Sequence, residues 1–122
     1  MVATDLATRK IVWERPIGTT RDAGLFNTHF NLPLPTGMFN IGGNLITADG
    51  VVFIGATADQ YLRAFDETTG EMLWKARLPG GGQANPITYQ GQDGRQFVVI
   101  AAGGHGGLRT KNGDALLAFA LP

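Results

Sequence analysis

A segment of similar sequence occurs twice in this chain, and its spacing restricts the folds that the chain can adopt. The two copies are ATDLATRKIVW at residues 3–13 and AFDETTGEMLW at residues 64–74, offset by 61 residues. The matched pairs are Ala3 and Ala64, Asp5 and Asp66, Thr8 and Thr69, and Trp13 and Trp74. A repeat at this distance indicates stacked supersecondary units, because each unit alone is too small to bury its own faces.

The repeat unit has the pattern of four short β-strands. Runs of apolar and β-branched residues are bounded by glycine, proline and aspartate, which is typical of strands joined by tight turns. The predicted strands are 43–47, 51–55, 61–66 and 71–78, followed by 85–89, 96–102 and 114–122. Four-stranded antiparallel units in tandem predict an all-β fold, a partial β-propeller of about two and a half blades.

The predicted blades divide the chain into three parts. Residues 1–16 form the end of one blade, residues 43–78 a complete blade, and residues 85–122 three strands of the last blade. We therefore expect a C-terminal fragment of a longer ring, with the remaining blades as its partners. Blade faces and a strand edge would be uncovered in the isolated fragment, so we expect it to self-associate. The two repeated tryptophans predict large rings buried between adjacent blades.

Two titratable side chains fall in long loops at the same end of the predicted blades. Asp59 lies in ATADQ at 56–60, and His105 lies among four glycines in the corresponding loop of the last blade, 103–113. Such a rim of long loops is a common binding site, and we expect both side chains to face it. Alternatively, Asp59 caps its own turn and His105 is a solvated loop residue. For His29, in the crossover of residues 17–41, a structural or rim role is favoured.

Composition excludes several classes of function. Ten basic residues balance ten acidic residues, which gives no electrostatic reason to expect a nucleic-acid partner. The absence of cysteine excludes disulfides and thiolate metal sites, and the two histidines have no metal-ligand spacing. No apolar run reaches the roughly 18 residues of a membrane-spanning helix. Nucleotide-binding and serine-hydrolase motifs are also absent.

The repeated motif AxDxxTGxxxW resembles the tryptophan-docking motif of dehydrogenases that depend on pyrroloquinoline quinone (PQQ). The stretches TADQYLRAFD, AAGGHGG and GDALLAFALP are similar to the C-terminal end of the membrane-bound glucose and quinate dehydrogenase branch of this quinoprotein family. This resemblance covers essentially the whole chain. The one departure is Arg9, where the motif usually has glycine, so we expect a less comfortable turn there.

This resemblance implies a fold, a reaction and a location. The parent protein would be an eight-bladed propeller that oxidises a sugar or polyol hydroxyl with PQQ and Ca²⁺ or Mg²⁺. Electrons would pass to ubiquinone at the periplasmic face of the bacterial inner membrane. Asp59 and His105 would be cofactor-binding residues of the PQQ or substrate pocket.

The resemblance also implies what this chain lacks. The family's catalytic base and most of its metal ligands lie in earlier blades, so no catalytic residue and no metal ligand is assigned here. We therefore expect the isolated fragment to be inactive. The alternative is a non-catalytic propeller module used for binding or scaffolding, which would need the repeated motifs but not Asp59 together with His105.

Overall fold

The chain forms three antiparallel sheets with no α-helix among the residues that a computed structural model describes, 1–22 and 32–120. The sheets are β1-β2, β3-β4-β5-β6 and β7-β8-β9. The strands are β1 Val2–Asp5, β2 Lys10–Glu14, β3 Asn44–Ile46, β4 Val51–Ile54, β5 Tyr61–Asp66, β6 Met72–Arg77, β7 Ile87–Gln90, β8 Gln96–Ala102 and β9 Ala115–Ala120. The all-β, partial-propeller fold predicted from the sequence is confirmed. His29 lies outside the described residues, so its role stays a prediction.

The sequence repeat is a repeated hairpin. Ala3 pairs with Trp13 in the β1-β2 hairpin, and Ala64 pairs with Trp74 in the β5-β6 hairpin. In both hairpins the register shifts immediately after the alanine. Each hairpin turn begins with an aspartate whose Oδ1 accepts hydrogen bonds from the amides two and three residues further on, at 2.7–3.1 Å. These local bonds explain why the aspartate recurs.

The first repeated tryptophan, Trp13, lies against the turn of the next sheet. Its indole Nε1 donates a hydrogen bond to the Glu67 carbonyl at 2.7 Å. A Cβ placed on Gly70 would lie only 2.6 Å from the indole ring. The glycine of the turn therefore provides the space that the ring occupies.

The second repeated tryptophan, Trp74, is less buried than the sequence predicted. It is 39% exposed, and its ring meets Phe119 edge-on with centroids 5.1 Å apart. The last sheet presents the Phe119 ring to Trp74, whereas the middle sheet presents a glycine turn to Trp13. The tryptophans of the two copies of the repeated hairpin therefore lie in different environments.

Apolar side chains between the sheets form two cores. The core between the first two sheets contains Ile17, Val52, Ile54, Ala56 and Phe65. The core between the middle and last sheets contains Leu62, Leu78, Val98, Ile100 and Ala102. Strand β5 contributes to both cores because residues on its two faces are buried. The first core reaches the end of β4 at Ile54, where the loop of Asp59 begins, and the second reaches the end of β8 at Ala102, where the loop of His105 begins.

The turn at Arg9 has the left-handed backbone that the repeat requires. Arg9 has φ 57°, and Gly70 at the matched position has φ 68°. This conformation costs an L-residue about 1–2 kcal/mol, while glycine loses more entropy on folding. We expect Arg9→Gly to raise the free energy of unfolding by about 0.5–1 kcal/mol, measured by urea denaturation. Arg9→Ala removes the same side chain but keeps Cβ, and an equal gain from Arg9→Ala would contradict this explanation.

Candidate functional site

Asp59 lies at the centre of a buried polar cluster. Its side chain is 0% exposed. Oδ2 accepts hydrogen bonds from the amide and hydroxyl of Thr19 at 2.8 and 3.0 Å, and Oδ1 accepts one from the Thr57 hydroxyl at 2.6 Å. Arg63 donates to both carboxylate oxygens, to Oδ1 at 3.0 Å and to Oδ2 in the closer contact. We call Thr19, Thr57, Asp59 and Arg63 the Asp59 cluster.

The charge on Asp59 is stabilised within this cluster. Burial raises the pKa of the Asp59 carboxyl, but hydrogen bonds from Arg63, Thr57 and Thr19 and the charge of Arg63 outweigh burial. The pKa therefore lies below its ordinary value, and the carboxylate is ionised at neutral pH. Both carboxylate oxygens already accept hydrogen bonds from Thr19, Thr57 and Arg63, so Asp59 holds these three residues in place.

The expectation that Asp59 faces the open rim is wrong. The carboxylate points into the protein, because a buried Arg63 on the adjacent strand requires an anion beside it. The alternative of a simple turn cap is also incomplete, since Thr19 is 40 residues away in sequence. Whether Asp59 contributes to cofactor binding stays a prediction.

His105 begins a single turn of 3₁₀ helix, Gly106–Leu108, directly after β8. Its Nδ1 accepts a hydrogen bond from the Leu108 amide at 3.2 Å. An accepting Nδ1 carries no proton, so in the neutral ring the proton is on Nε2, which is a donor. The imidazole is half-buried. The predicted position in a glycine loop is thus correct, and the ring has a defined tautomer and a local capping contact.

The crossover between the middle and last sheets, PGGGQA at residues 79–84, joins the loops of Asp59 and His105. Gly81 bonds to both arms of the His105 loop: its amide donates to the Lys111 carbonyl at 2.9 Å, and its carbonyl accepts from the Gly104 amide at 2.9 Å. Gln83 Nε2 donates to the Thr57 carbonyl at 3.2 Å. The two loops predicted to lie at the same end are therefore linked through the crossover, which forms hydrogen bonds with both.

Four polar residues of this region were missed by sequence reasoning, namely Thr19, Arg63, Gln83 and Thr110. Arg63 had a detectable signal, because it is the one charged residue within the apolar strand YLRAF and lies four residues after Asp59. Gln83 is the one polar side chain of PGGGQA. The two threonines have no comparable signal, since their partners are brought close only by the fold.

Within residues 1–22 and 32–120, no three His, Asp or Glu side chains meet in a way that could hold a metal ion. An apolar groove of about 630 Å³ lies between the middle and last sheets, lined by Phe53, Trp74 and Phe119 among others. The groove also contains Thr47 and Gln96, at the end of the strands opposite His105. It is therefore separate from the His105 loop.

None of the described helical segments is long and apolar enough to cross a bilayer.

Comparison with known proteins identifies similar chains. Residues 1–98 match the family model described as "PQQ: Glucose/ethanol/alcohol dehydrogenase, beta-propeller domain". Quinoprotein glucose dehydrogenase A of Acinetobacter calcoaceticus is 51% identical over 100% of this chain, and the probable quinate dehydrogenase (quinone) of Xanthomonas campestris pv. juglandis is 50% identical over 98%. This chain spans 15% of the length of each of these relatives.

A solved structure shares the arrangement of sheets. The crystal structure of quinohemoprotein alcohol dehydrogenase from Comamonas testosteroni matches 98% of this chain with a TM-score of 0.62 and 29% sequence identity. The match covers 16% of that protein. The sheet geometry described above is therefore also found as a part of a larger dehydrogenase.

Proposed function

Because the chain belongs to the glucose/ethanol/alcohol dehydrogenase β-propeller family, whose model matches residues 1–98, we propose that it forms part of a PQQ-dependent dehydrogenase. The reaction is oxidation of a hydroxyl group of a sugar or polyol. Identity of about one half to glucose and quinate dehydrogenases along nearly the whole chain supports this substrate class. As a runner-up, a scaffold propeller would need the hairpin repeats but no oriented imidazole.

One observation carries the proposal: the backbone fixes the His105 imidazole with Nδ1 occupied, which leaves the Nε2 proton to be donated. A quinone oxygen or a substrate hydroxyl is a suitable acceptor for this proton. The flanking Gly104 and Gly106 have no side chains that would block a ligand from reaching the ring. His105 can thus orient an oxygen atom of a bound molecule.

The residues of this chain fit PQQ in part. PQQ, when bound, supplies the two-electron acceptor for oxidation of the substrate carbon. His105 fits as a donor to it or to the substrate. Asp59 does not fit as a direct ligand, because its carboxylate is buried and accepts hydrogen bonds from three neighbouring residues. Asp59 instead supports the loop in which it lies.

The remaining parts of the proposed enzyme lie beyond these residues. We propose that the catalytic base and the Ca²⁺ or Mg²⁺ ligands belong to other blades of the parent protein. We also propose ubiquinone as the electron acceptor and the periplasmic face of the bacterial inner membrane as the location. The name of the Xanthomonas relative, a quinate dehydrogenase (quinone), supports a quinone acceptor.

The test uses the full-length protein that contains this chain. We expect oxidation of glucose, quinate or glycerol that depends on added PQQ and divalent cation. His105→Ala should weaken the apparent affinity for PQQ or for substrate about 2- to 13-fold, since one hydrogen bond is worth about 0.5–1.5 kcal/mol. Steady-state kinetics with PQQ and substrate titrated separately distinguish the two ligands.

The matched control is Gln92→Ala, because Gln92 is exposed in the turn at the other end of β8. This control should leave both constants unchanged. A full-length protein that folds and oxidises none of the three substrates with PQQ would refute the dehydrogenase proposal. That result would favour a scaffold propeller.

A further inference from the structure

We propose that Gln83 and Thr110 are positioning residues that hold His105 in the orientation required by its ligand. This inference rests on the proposed function, because it concerns the same site. We call these two side chains the Gln83–Thr110 bridge. It links the His105 loop to the buried Asp59 cluster through hydrogen bonds, and neither residue is assigned a role by the family resemblance.

The first half of the bridge holds the backbone of His105. The Thr110 hydroxyl accepts a hydrogen bond from the His105 amide at 2.8 Å, and the Thr110 amide donates to the His105 carbonyl at 3.3 Å. Thr110 is 8% exposed. Both peptide groups that flank the His105 Cα are therefore bonded to one buried residue, which fixes the direction of its side chain.

The second half of the bridge connects Thr110 to the middle sheet. The Thr110 hydroxyl donates to Gln83 Oε1 at 3.1 Å, and Gln83 Nε2 donates to the Thr57 carbonyl at 3.2 Å. The hydroxyl of the same Thr57 donates to Asp59. Hydrogen bonds therefore connect Asp59 to Thr57, Thr57 to Gln83, Gln83 to Thr110 and Thr110 to His105 without a gap.

The packing around the bridge leaves no room for an additional side chain. A Cβ on Gly81 would lie 2.3 Å from both Gln83 Oε1 and Thr110 Oγ1. Glycine at this position therefore lets the two side chains meet against the crossover. In the crossover sequence GGGQ, the side-chain amide of Gln83 follows two residues after Gly81 and lies in the space that a Gly81 side chain would fill.

Hydrogen bonds, and not apolar packing, order the loop of His105. Glycine-rich backbone loses much conformational entropy when it is fixed, and four glycines surround His105. No residue of the 3₁₀ turn is buried. Orientation must therefore come from specific hydrogen bonds, and a ligand that meets an oriented donor binds without the cost of ordering it.

The test compares Thr110→Val, Thr110→Ser and Gln83→Leu in the full-length protein. Valine keeps the shape but removes the hydroxyl, while serine retains the hydroxyl. We expect Thr110→Val and Gln83→Leu to change the same constant as His105→Ala, PQQ affinity or substrate KM, by about 2- to 13-fold. Thr110→Ser should keep that constant at its wild-type value, because serine retains the hydroxyl. The control is Gln90→Leu, since Gln90 is exposed and its amide bonds only a turn carbonyl.

Two readouts separate positioning from general destabilisation. In a His105→Ala background, Thr110→Val should have no further effect on that constant, because its effect acts through the imidazole. Hydrogen exchange of the His105 amide should become about 2- to 13-fold faster in Thr110→Val, whether or not PQQ is bound. PQQ affinity is measured in the apoprotein by titration, using quenching of tryptophan fluorescence.

Three results would overturn the positioning role. In the first, Thr110→Val changes PQQ affinity or substrate KM as much in the His105→Ala background as in the wild type. In the second, Thr110→Ser changes that constant as much as Thr110→Val does. In the third, Thr110→Val leaves both constants at their wild-type values. Each can occur in a protein that binds PQQ and oxidises substrate, and would then leave the proposed function intact. A wild-type protein that binds no PQQ would instead refute the proposed function itself.

Discussion

Asp59→Asn should lower the free energy of unfolding by about 3–5 kcal/mol, the usual cost of leaving a buried partner charge uncompensated. The partner is Arg63, whose side chain is 6% exposed and donates to both oxygens of Asp59. Asparagine has the same shape, so the loss reports charge and hydrogen bonding. The measurement is urea denaturation followed by tryptophan fluorescence. All variants are compared at one protein concentration, because the self-association that the sequence predicts would add to stability.

An exposed ion pair provides the matched control. Asp93 and Arg95 form a salt bridge at 2.5 Å, with side chains 48% and 60% exposed. Asp93→Asn should lower stability far less than Asp59→Asn does, because water screens exposed pairs. The double variant Asp59→Asn with Arg63→Met should lose less than the sum of the single variants, since the two residues interact directly. Equal costs for Asp59→Asn and Asp93→Asn would mean that burial does not govern the Asp59 cluster.

The ion pair of Asp59 and Arg63 makes the stability of the fold depend on pH in a defined direction. The pKa of Asp59 is lower in the folded chain than in the unfolded chain, where it is about 3.9. The unfolded state therefore binds the proton first, and the stabilisation by Asp59 is complete above about pH 4 and is lost as pH falls toward the folded pKa. The difference in stability between the wild type and Asp59→Asn should shrink over that interval. A constant difference from pH 7 to pH 2 would contradict the assignment.

Gly70→Ala should destabilise the chain by about 2–5 kcal/mol, for two separate reasons. Gly70 has φ 68°, which costs an alanine about 1–2 kcal/mol. In addition, the new Cβ would lie 2.6 Å from the Trp13 ring. Displacing a packed ring costs about a further 1–3 kcal/mol. The emission of Trp13 should shift as its ring leaves the turn, which fluorescence spectra of a Trp74→Phe background can record.

Gly94→Ala separates these two contributions. Gly94 has φ 80°, but a Cβ there would meet no atom within 4 Å. Its substitution should therefore show only the cost of the left-handed backbone. The excess loss in Gly70→Ala measures the contact between the two sheets. If both variants lose the same stability, the Trp13 contact contributes nothing, and the repeated tryptophan has no docking role.

Features that depend on neighbours in sequence could be predicted from the sequence. The hairpins at 3–13 and 64–74, their aspartate turns and the left-handed position of Arg9 follow from residues within a few positions of one another. Strands such as Tyr61–Asp66 and Gln96–Ala102 were found at their predicted places because β-branched runs end at turn residues. The position of His105 in a loop at the end of β8 has the same origin.

The tertiary structure alone decided what these features contact. Trp13 and Trp74 occupy matched positions in sequence, yet one lies on a glycine turn and the other meets Phe119. Asp59 was expected at an open rim and is buried against Arg63.

In short-range motifs the bonding partners are fixed by backbone geometry, so the sequence by itself determined the hairpins, turns and strand order. The Asp59 cluster and the Gln83–Thr110 bridge join groups 26 to 40 residues apart. Those partners meet only after the sheets stack and the crossover folds back, because stacking is driven by apolar burial that carries no record of which polar groups it brings together.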